Sequence, residues 1–193
     1  MSFEALLVST GVVALAEMGD KTQLLAFLLA ARFKKPLPII AGILIATILN
    51  HGLAGALGTW ITSLLSPELL RWVLGFSFLG MAVWILIPDK IDEAEQPSNA
   101  SYGVFLTTLI AFFLAEMGDK TQIATVALAA NYQAPFMVVI GTTLGMLFAD
   151  VPAVFLGNSF AKRLPLRLLH MVAAGIFAIL SAMILFKVDQ LIT

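Results

Sequence analysis

The sequence predicts an all-α membrane protein whose six transmembrane helices form two inverted three-helix repeats. Three observations lead there. Of the 193 residues, 60% are hydrophobic and only 12% charged, against about half and about a quarter in an average soluble domain. The mean hydropathy is +0.99, and a soluble fold of this size has too little interior to hide that many apolar side chains, so the surplus has to face lipid. Second, six apolar stretches of about 20 residues run along the chain, the length a helix needs to cross a bilayer. Third, one eight-residue segment occurs twice without a change, 99 positions apart.

The elements follow in order. Phe3 to Ala31 is the first apolar stretch; the opening Met-Ser-Phe-Glu has no positive charge and no cleavage site follows, so the stretch is expected to remain as a spanning helix. Arg32-Phe33-Lys34-Lys35-Pro36 separates it from the second, Leu37 to Trp60, and Ser66-Pro67-Glu68 introduces the third, Leu69 to Ile87. The longest and most polar connector, Pro88 to Ser101, divides the chain into a repeat over 1–88, an acidic connector over 89–101 and a repeat over 102–193. The second repeat holds Tyr102 to Ala130, Phe136 to Gly157 and Leu166 to Phe186, joined through Asn131 to Pro135 and Asn158 to Pro165.

The duplication extends past the identical segment. At the same offset Pro36 matches Pro135, Gly42 matches Gly141 and Ala54 matches Ala153; one position further in register, Gly75 and Ala82 match Gly175 and Ala182. Three spans per copy is an odd number, so the second copy enters the membrane from the opposite side. That is an inverted repeat, with a substrate site expected near the midplane where the copies meet. Arg32, Lys34, Lys35, Lys90, Lys162, Arg163 and Arg167 fall on one side, Arg71 and Lys187 on the other. The richer side is expected to be cytoplasmic, which puts both termini outside the cytoplasm and the connector over 89–101 inside it.

The repeated segment is Ala16-Glu17-Met18-Gly19-Asp20-Lys21-Thr22-Gln23, returning as Ala115-Glu116-Met117-Gly118-Asp119-Lys120-Thr121-Gln122. Each copy lies deep in a long first span. A charge at a helix centre costs about 2.5–3.5 kcal/mol, so these six charges and Asp150 in the fifth span would cost on the order of 20 kcal/mol if ionised and unpaired. A purely structural helix would not carry that. On a helix Glu17 and Asp20, three apart, share a face, while Gly19 and Gly118 are places where the helix can loosen and free backbone carbonyls. The two-fold relation is expected to bring Glu17, Asp20, Glu116 and Asp119 together. With Lys21, Lys120 and Asp150 the sum is −3, a surplus that calls for a cation. Carboxylates with Thr22, Gln23, Thr121 and Gln122 nearby form a hard-oxygen set, suited to manganese, calcium or magnesium.

Other readings compete residue by residue. Glu17 could pair with Lys21, and Glu116 with Lys120, as staples at i,i+4 spacing; alternatively the lysines are tethered cations that fill the site when metal is absent. Asp150 is expected to be a site, gate or proton-coupling residue. Asn50 and His51 stand at the matching place in the first copy, His51 as a proton carrier or a hydrogen-bonded core histidine. His170 and Arg71 read as interfacial anchors, as do Trp60, Trp72 and Trp84, and Gly42-x-x-x-Ala46 and Gly141-x-x-x-Gly145 as helix contacts within the chain. No cysteine is present and only two histidines, so disulfides, thiolate sites and a closed zinc centre are excluded. Gly-Asp-Lys-Thr is not a phosphate-binding loop, because Ala14 and Phe113 stand where the first glycine belongs. Neither nucleotide nor nucleic acid is an expected partner, and no cofactor is expected. A membrane-embedded hydrolase finds no serine–histidine or histidine-pair arrangement to support it, and the charge cost speaks against a scaffolding subunit.

Two copies of Glu-x-Gly-Asp-Lys/Arg-Ser/Thr, each in the first helix of a three-helix repeat, resemble the mark of one group of cation/proton exchangers. These are the manganese/calcium transporters of the Golgi and of chloroplast membranes, together with bacterial manganese exporters. The resemblance covers essentially the whole chain, without a departure in either motif. It implies that Glu17, Asp20, Glu116 and Asp119 are the cation ligands, with Lys21, Thr22, Lys120 and Thr121 as motif neighbours. It further implies a transporter rather than an enzyme, exchanging Mn²⁺ or Ca²⁺ for protons. The short loops match the compact bacterial form, which implies a place in the cytoplasmic (inner) membrane and export of manganese. An exporter of another small cation, such as a cationic amino acid, would use the same acidic cavity.

Overall fold

The computed structural model describes residues 2–87, 103–156 and 165–187. They fold into eight helices with no strand among the described residues: α1 (Ser2–Glu17), α2 (Lys21–Phe33), α3 (Pro36–Leu64), α4 (Pro67–Trp84), α5 (Gly103–Glu116), α6 (Lys120–Tyr132), α7 (Pro135–Leu156) and α8 (Leu166–Leu185). The acidic connector and most of the connector before Leu166 lie outside the described residues. Four helices coincide with expected spans. Their starts are written locally, with prolines in the first turn of α3 and α4, where a missing N–H costs nothing. Ser66 caps α4 by accepting from the Leu69 N–H.

The first and fourth stretches are not single helices. Each breaks inside the motif, α1 giving way to α2 and α5 to α6. At the breaks Gly19 and Gly118 take φ of +88° and +75°, a region open to glycine at little cost. Asp20 and Asp119 then become extended N-caps of the next helix. The axis turns by 68° between α1 and α2. Among the described residues the helices long and apolar enough to cross a membrane are α3, α7 and α8, and the bent α1–α2 pair passes as a fourth; α5 is a shorter apolar helix. Halves of 13 to 16 residues reach about 20–24 Å, short of a bilayer core of about 30 Å, so no half is long enough to cross alone.

The duplication is visible in the packing. Lys34 and Gln133, 99 apart, both end their helices in the left-handed conformation and donate their N–H groups to the carbonyls of Ala30 and Ala129. A Cβ on Gly42 would lie 2.8 Å from Thr108 Cβ, and one on Gly141 would lie 2.9 Å from Ser9 Cβ. Ser9 and Thr108 are themselves 99 apart, so each glycine lets α3 or α7 close on the first helix of the other copy. The small-residue motifs therefore pack helices within the chain, as expected. α1 lies against α7, α3 against α5, and α3 meets α7, so the halves interlock and share their core. One buried apolar cluster is built around Phe78, Leu128 and Phe177, another around Leu25, Ile43 and Phe112. Large apolar side chains such as Phe76, Phe148 and Ile179 face outward, as surfaces toward lipid must.

Candidate functional site

Both breaks are finished in the same way, and by the motif itself. Gln23 Oε1 accepts from the Gly19 N–H at 2.9 Å, and Gln122 Oε1 from the Gly118 N–H at 2.7 Å. The Gly19 and Gly118 N–H groups at the breaks are thus satisfied from the third residue of the following helix, a variant of the capping box. Thr22 donates to Glu17 Oε2 at 2.5 Å, and Thr121 donates to Glu116 in the same manner. Glu17 and Asp20 are therefore joined across a turn rather than along a helix face, and the Asp20 N–H donates to the Glu17 carbonyl.

The lysines are not i,i+4 staples, because the helix that would align them with their own glutamates is interrupted. Each reaches the other copy. Lys120 Nζ lies 2.8 Å from Asp20 Oδ1, and Lys21 Nζ lies 3.6 Å from Asp119 Oδ1. That is the geometry of tethered cations seated on opposite carboxylates. The two pairs are unequal: the Lys120 side chain is 2% exposed and that of Lys21 15%.

Glu17, Asp20 and Asp119 each offer a carboxylate oxygen, and the three oxygens lie within 4.8 Å of one another. All three residues are buried. Glu116, expected as the fourth member, is not part of that group. It is held by Thr121 and faces His51, whose Nε2 lies 3.5 Å from Glu116 Oε1. Glu17 nevertheless feels the charges of Glu116, Asp20, Asp119 and Asp150. Oxygens of Glu17, Glu116 and Asp150 that are buried without a hydrogen-bond partner leave acceptor capacity turned into a water-poor interior. Such capacity is costly unless a cation or proton meets it. Three carboxylates on hard oxygens suit a divalent ion of the manganese or calcium kind.

Asn50, from α3, accepts from Gln122 at 3.3 Å and donates to the Phe113 carbonyl at 3.1 Å, tying α6 and α5 to α3. In the other copy Gln23 donates directly to the Ala149 carbonyl of α7 at 2.8 Å. Asp150 and His51 are both fully buried. Arg71 is more than an anchor: it donates to the Leu185 carbonyl at 2.6 Å and pairs with Glu68, locking the end of α8 to the start of α4. His170 departs further from an anchor, since its Nε2 lies 2.8 Å from the Met18 carbonyl at the first break. Nothing in the local sequence marks that contact; only the register of α8 against α1 produces it.

Comparison with known proteins places the chain in a family. The family model described as divalent cation/proton antiporter GDT1 matches residues 5–93 and 104–190. A Vibrio cholerae serotype O1 protein named "Putative manganese exporter" is 54% identical over 177 residues, 91% of this chain and 88% of that protein. GDT1-like protein 5 of Arabidopsis thaliana is 26% identical over 96% of this chain and 94% of its own length. GDT1-like protein 3 of Oryza sativa subsp. indica is 28% identical over 91% of this chain and 71% of its own. No solved structure matches the chain. The chain belongs to the GDT1 family of divalent cation/proton antiporters, and it is a transporter rather than an enzyme.

Proposed function

We propose that the protein exports Mn²⁺ from the cytoplasm in exchange for protons, and that Ca²⁺ can use the same site. The observation that carries this reading is the meeting of Glu17 and Asp20 with Asp119 of the other copy. One ion bound there touches both broken helices, so any movement of one copy against the other makes or unmakes its coordination. Glu116, Asp150 and His51 form the adjoining acidic region through which protons would pass. Lys21 neutralises Asp119, and Lys120 neutralises Asp20, until a metal displaces them, while Thr22, Gln23, Thr121, Gln122 and Asn50 hold the breaks in shape. The chain is read as six spans in two inverted repeats, over 1–88 and 102–193, in the inner membrane with both termini outside the cytoplasm. The name of the Vibrio relative supports manganese as the exported ion.

A second reading draws on a specific contact. A primary ammonium already sits 2.8 Å from Asp20, which is how a cationic amino acid would be held. Proteoliposomes loaded with Mn²⁺, Ca²⁺, Mg²⁺ or lysine in turn separate the two. Mn²⁺ efflux driven by an opposing proton gradient is the expected result; lysine flux without Mn²⁺ flux would establish the other.

A further inference from the structure

The two breaks are alike in sequence and unlike in cover. A Cβ on Gly19 would meet the Leu166 side chain at 2.7–3.1 Å, whereas nothing among the described residues lies within 4 Å of one on Gly118. His170, one turn further along α8, reaches the Met18 carbonyl at 2.8 Å. A carbonyl only accepts, so His170 donates through Nε2. Among the described residues the second break has no such cover: Met117 is 55% exposed and Gly118 is open. α8 leans on α1, while α4, its counterpart, leans on α6. In the shifted register that matches Gly75 to Gly175, the residues corresponding to Leu166 and His170 are Ser66 and Leu70, and the Leu70 side chain has no hydrogen to donate.

We propose that the first turns of α8 form a latch, with His170 as its positioning residue and Leu166 as its plug, that closes the transport site at the first break in this conformation. The broken helix leaves the Met18 carbonyl without its helical partner, and a bare carbonyl in a membrane protein has to find a donor or water. His170 supplies the donor and Leu166 excludes the water. When α8 tilts away, water reaches the Met18 carbonyl and the site opens on that side. Among the described residues the second break is uncovered while the first is latched, as a site open on one side at a time requires. The latch rests on the proposed function only in taking the breaks as the two ends of one transport site.

The natural chain has no cysteine, so a single introduced thiol reports without background. Met18→Cys and Met117→Cys proteins in lipid nanodiscs would be timed against a water-soluble maleimide, alone and combined with His170→Ala, His170→Gln or Leu166→Ala. Losing one net hydrogen bond shifts a two-state equilibrium by roughly five- to tenfold. His170→Ala is therefore expected to raise the Met18→Cys rate by that factor and leave Met117→Cys within about twofold. His170→Gln keeps a donor and is expected to restore the slow rate; Leu166→Ala is expected to raise it even if His170→Ala does not fold. A Met18→Cys rate unchanged by both alanine variants, or rising equally at Met117→Cys, overturns the latch. Wild-type vesicles that carry no Mn²⁺ would overturn the proposed function and leave the labelling result standing.

Discussion

Lys120 and Lys21 hold the same place in the two motifs and live in different surroundings. Lys120 is buried against Asp20 at 2.8 Å, while Lys21 keeps some exposure and lies 3.6 Å from Asp119. Removing one partner of a buried pair leaves the other charge uncompensated, at about 3–5 kcal/mol, and some solvent at the pair offsets part of that. Lys120→Met is therefore expected to lower stability in detergent by about 3 kcal/mol or more, and Lys21→Met by less than Lys120→Met, because solvent reaches Lys21. Added Mn²⁺ should recover part of the Lys120→Met loss, since the metal replaces the missing positive charge; denaturant unfolding with and without metal measures both. The carboxylates divide in a similar way. Glu17→Gln, Asp20→Asn and Asp119→Asn each take one charge from the close triad and should weaken Mn²⁺ binding by at least about tenfold. Glu116→Gln lies beside it and should abolish proton-coupled flux while changing equilibrium binding only a few-fold. Calorimetric Mn²⁺ titration of the purified variants decides, and Glu116→Gln weakening binding as much as Glu17→Gln would make Glu116 a full ligand.

Among the helices, α3 approaches α6 closely at Gly58. A Cβ there would run into the Val126 carbonyl and lie 3.0 Å from Ala129 Cβ, so a methyl group must push apart two helices that carry Asn50 and Lys120. Gly58→Ala is expected to cost about 1–3 kcal/mol by overpacking. Gly80 in α4 has nothing within 4 Å, and Gly80→Ala should stabilise by about 0.5–1 kcal/mol through lost backbone freedom alone. Parallel unfolding curves test the contrast. The starts of α3, α4 and α7 behind this packing were legible in the sequence, because Pro36, Ser66-Pro67 and Pro135 set helix starts locally and the 99-residue offset marked equivalent glycines. The breaks were legible only as places where a helix can loosen. Whether Gly19 and Gly118 take a positive φ is decided by what the chain gains there, namely the Gln23 and Gln122 caps, and these depend on the finished fold. The lysine partners were hidden for the same reason, as helical spacing points Lys21 to Glu17 and only the interruption sends it across to Asp119. Glu116 shows the reach of the symmetry argument: identical motifs suggest four equivalent carboxylates, and the structure groups the oxygens of Glu17, Asp20 and Asp119 while Glu116 faces His51 beside them.

For the whole molecule, interlocking of the two copies makes sidedness and coupling testable together. The distribution of lysine and arginine, seven against two, predicts that Ser2→Cys and Thr193→Cys react with an impermeant thiol reagent on intact cells, and that Lys35→Cys reacts only after the membrane is opened. The reverse pattern would invert the direction of every step inferred from topology. In the proposed mechanism coupling follows from the ligands. Carboxylates bind metal when ionised and protons when not, so each arriving Mn²⁺ displaces protons and each arriving proton weakens metal binding. Apparent Mn²⁺ affinity should accordingly rise with pH, because fewer protons then compete for Glu17, Asp20 and Asp119. An imposed gradient, acidic on the side of the termini, should drive Mn²⁺ toward that side against its own concentration gradient. Asp150 separates two routes for the proton. Its two oxygens are buried without a hydrogen-bond partner, so Asp150→Asn keeps the shape and removes a proton acceptor. If protons use Asp150, that variant should still bind Mn²⁺ and exchange it at equal concentrations, yet fail to accumulate it under a pH gradient. Full gradient-driven accumulation in Asp150→Asn would assign the protons to the metal-binding carboxylates themselves, and wild-type Mn²⁺ flux indifferent to pH on both sides would make the protein a uniporter.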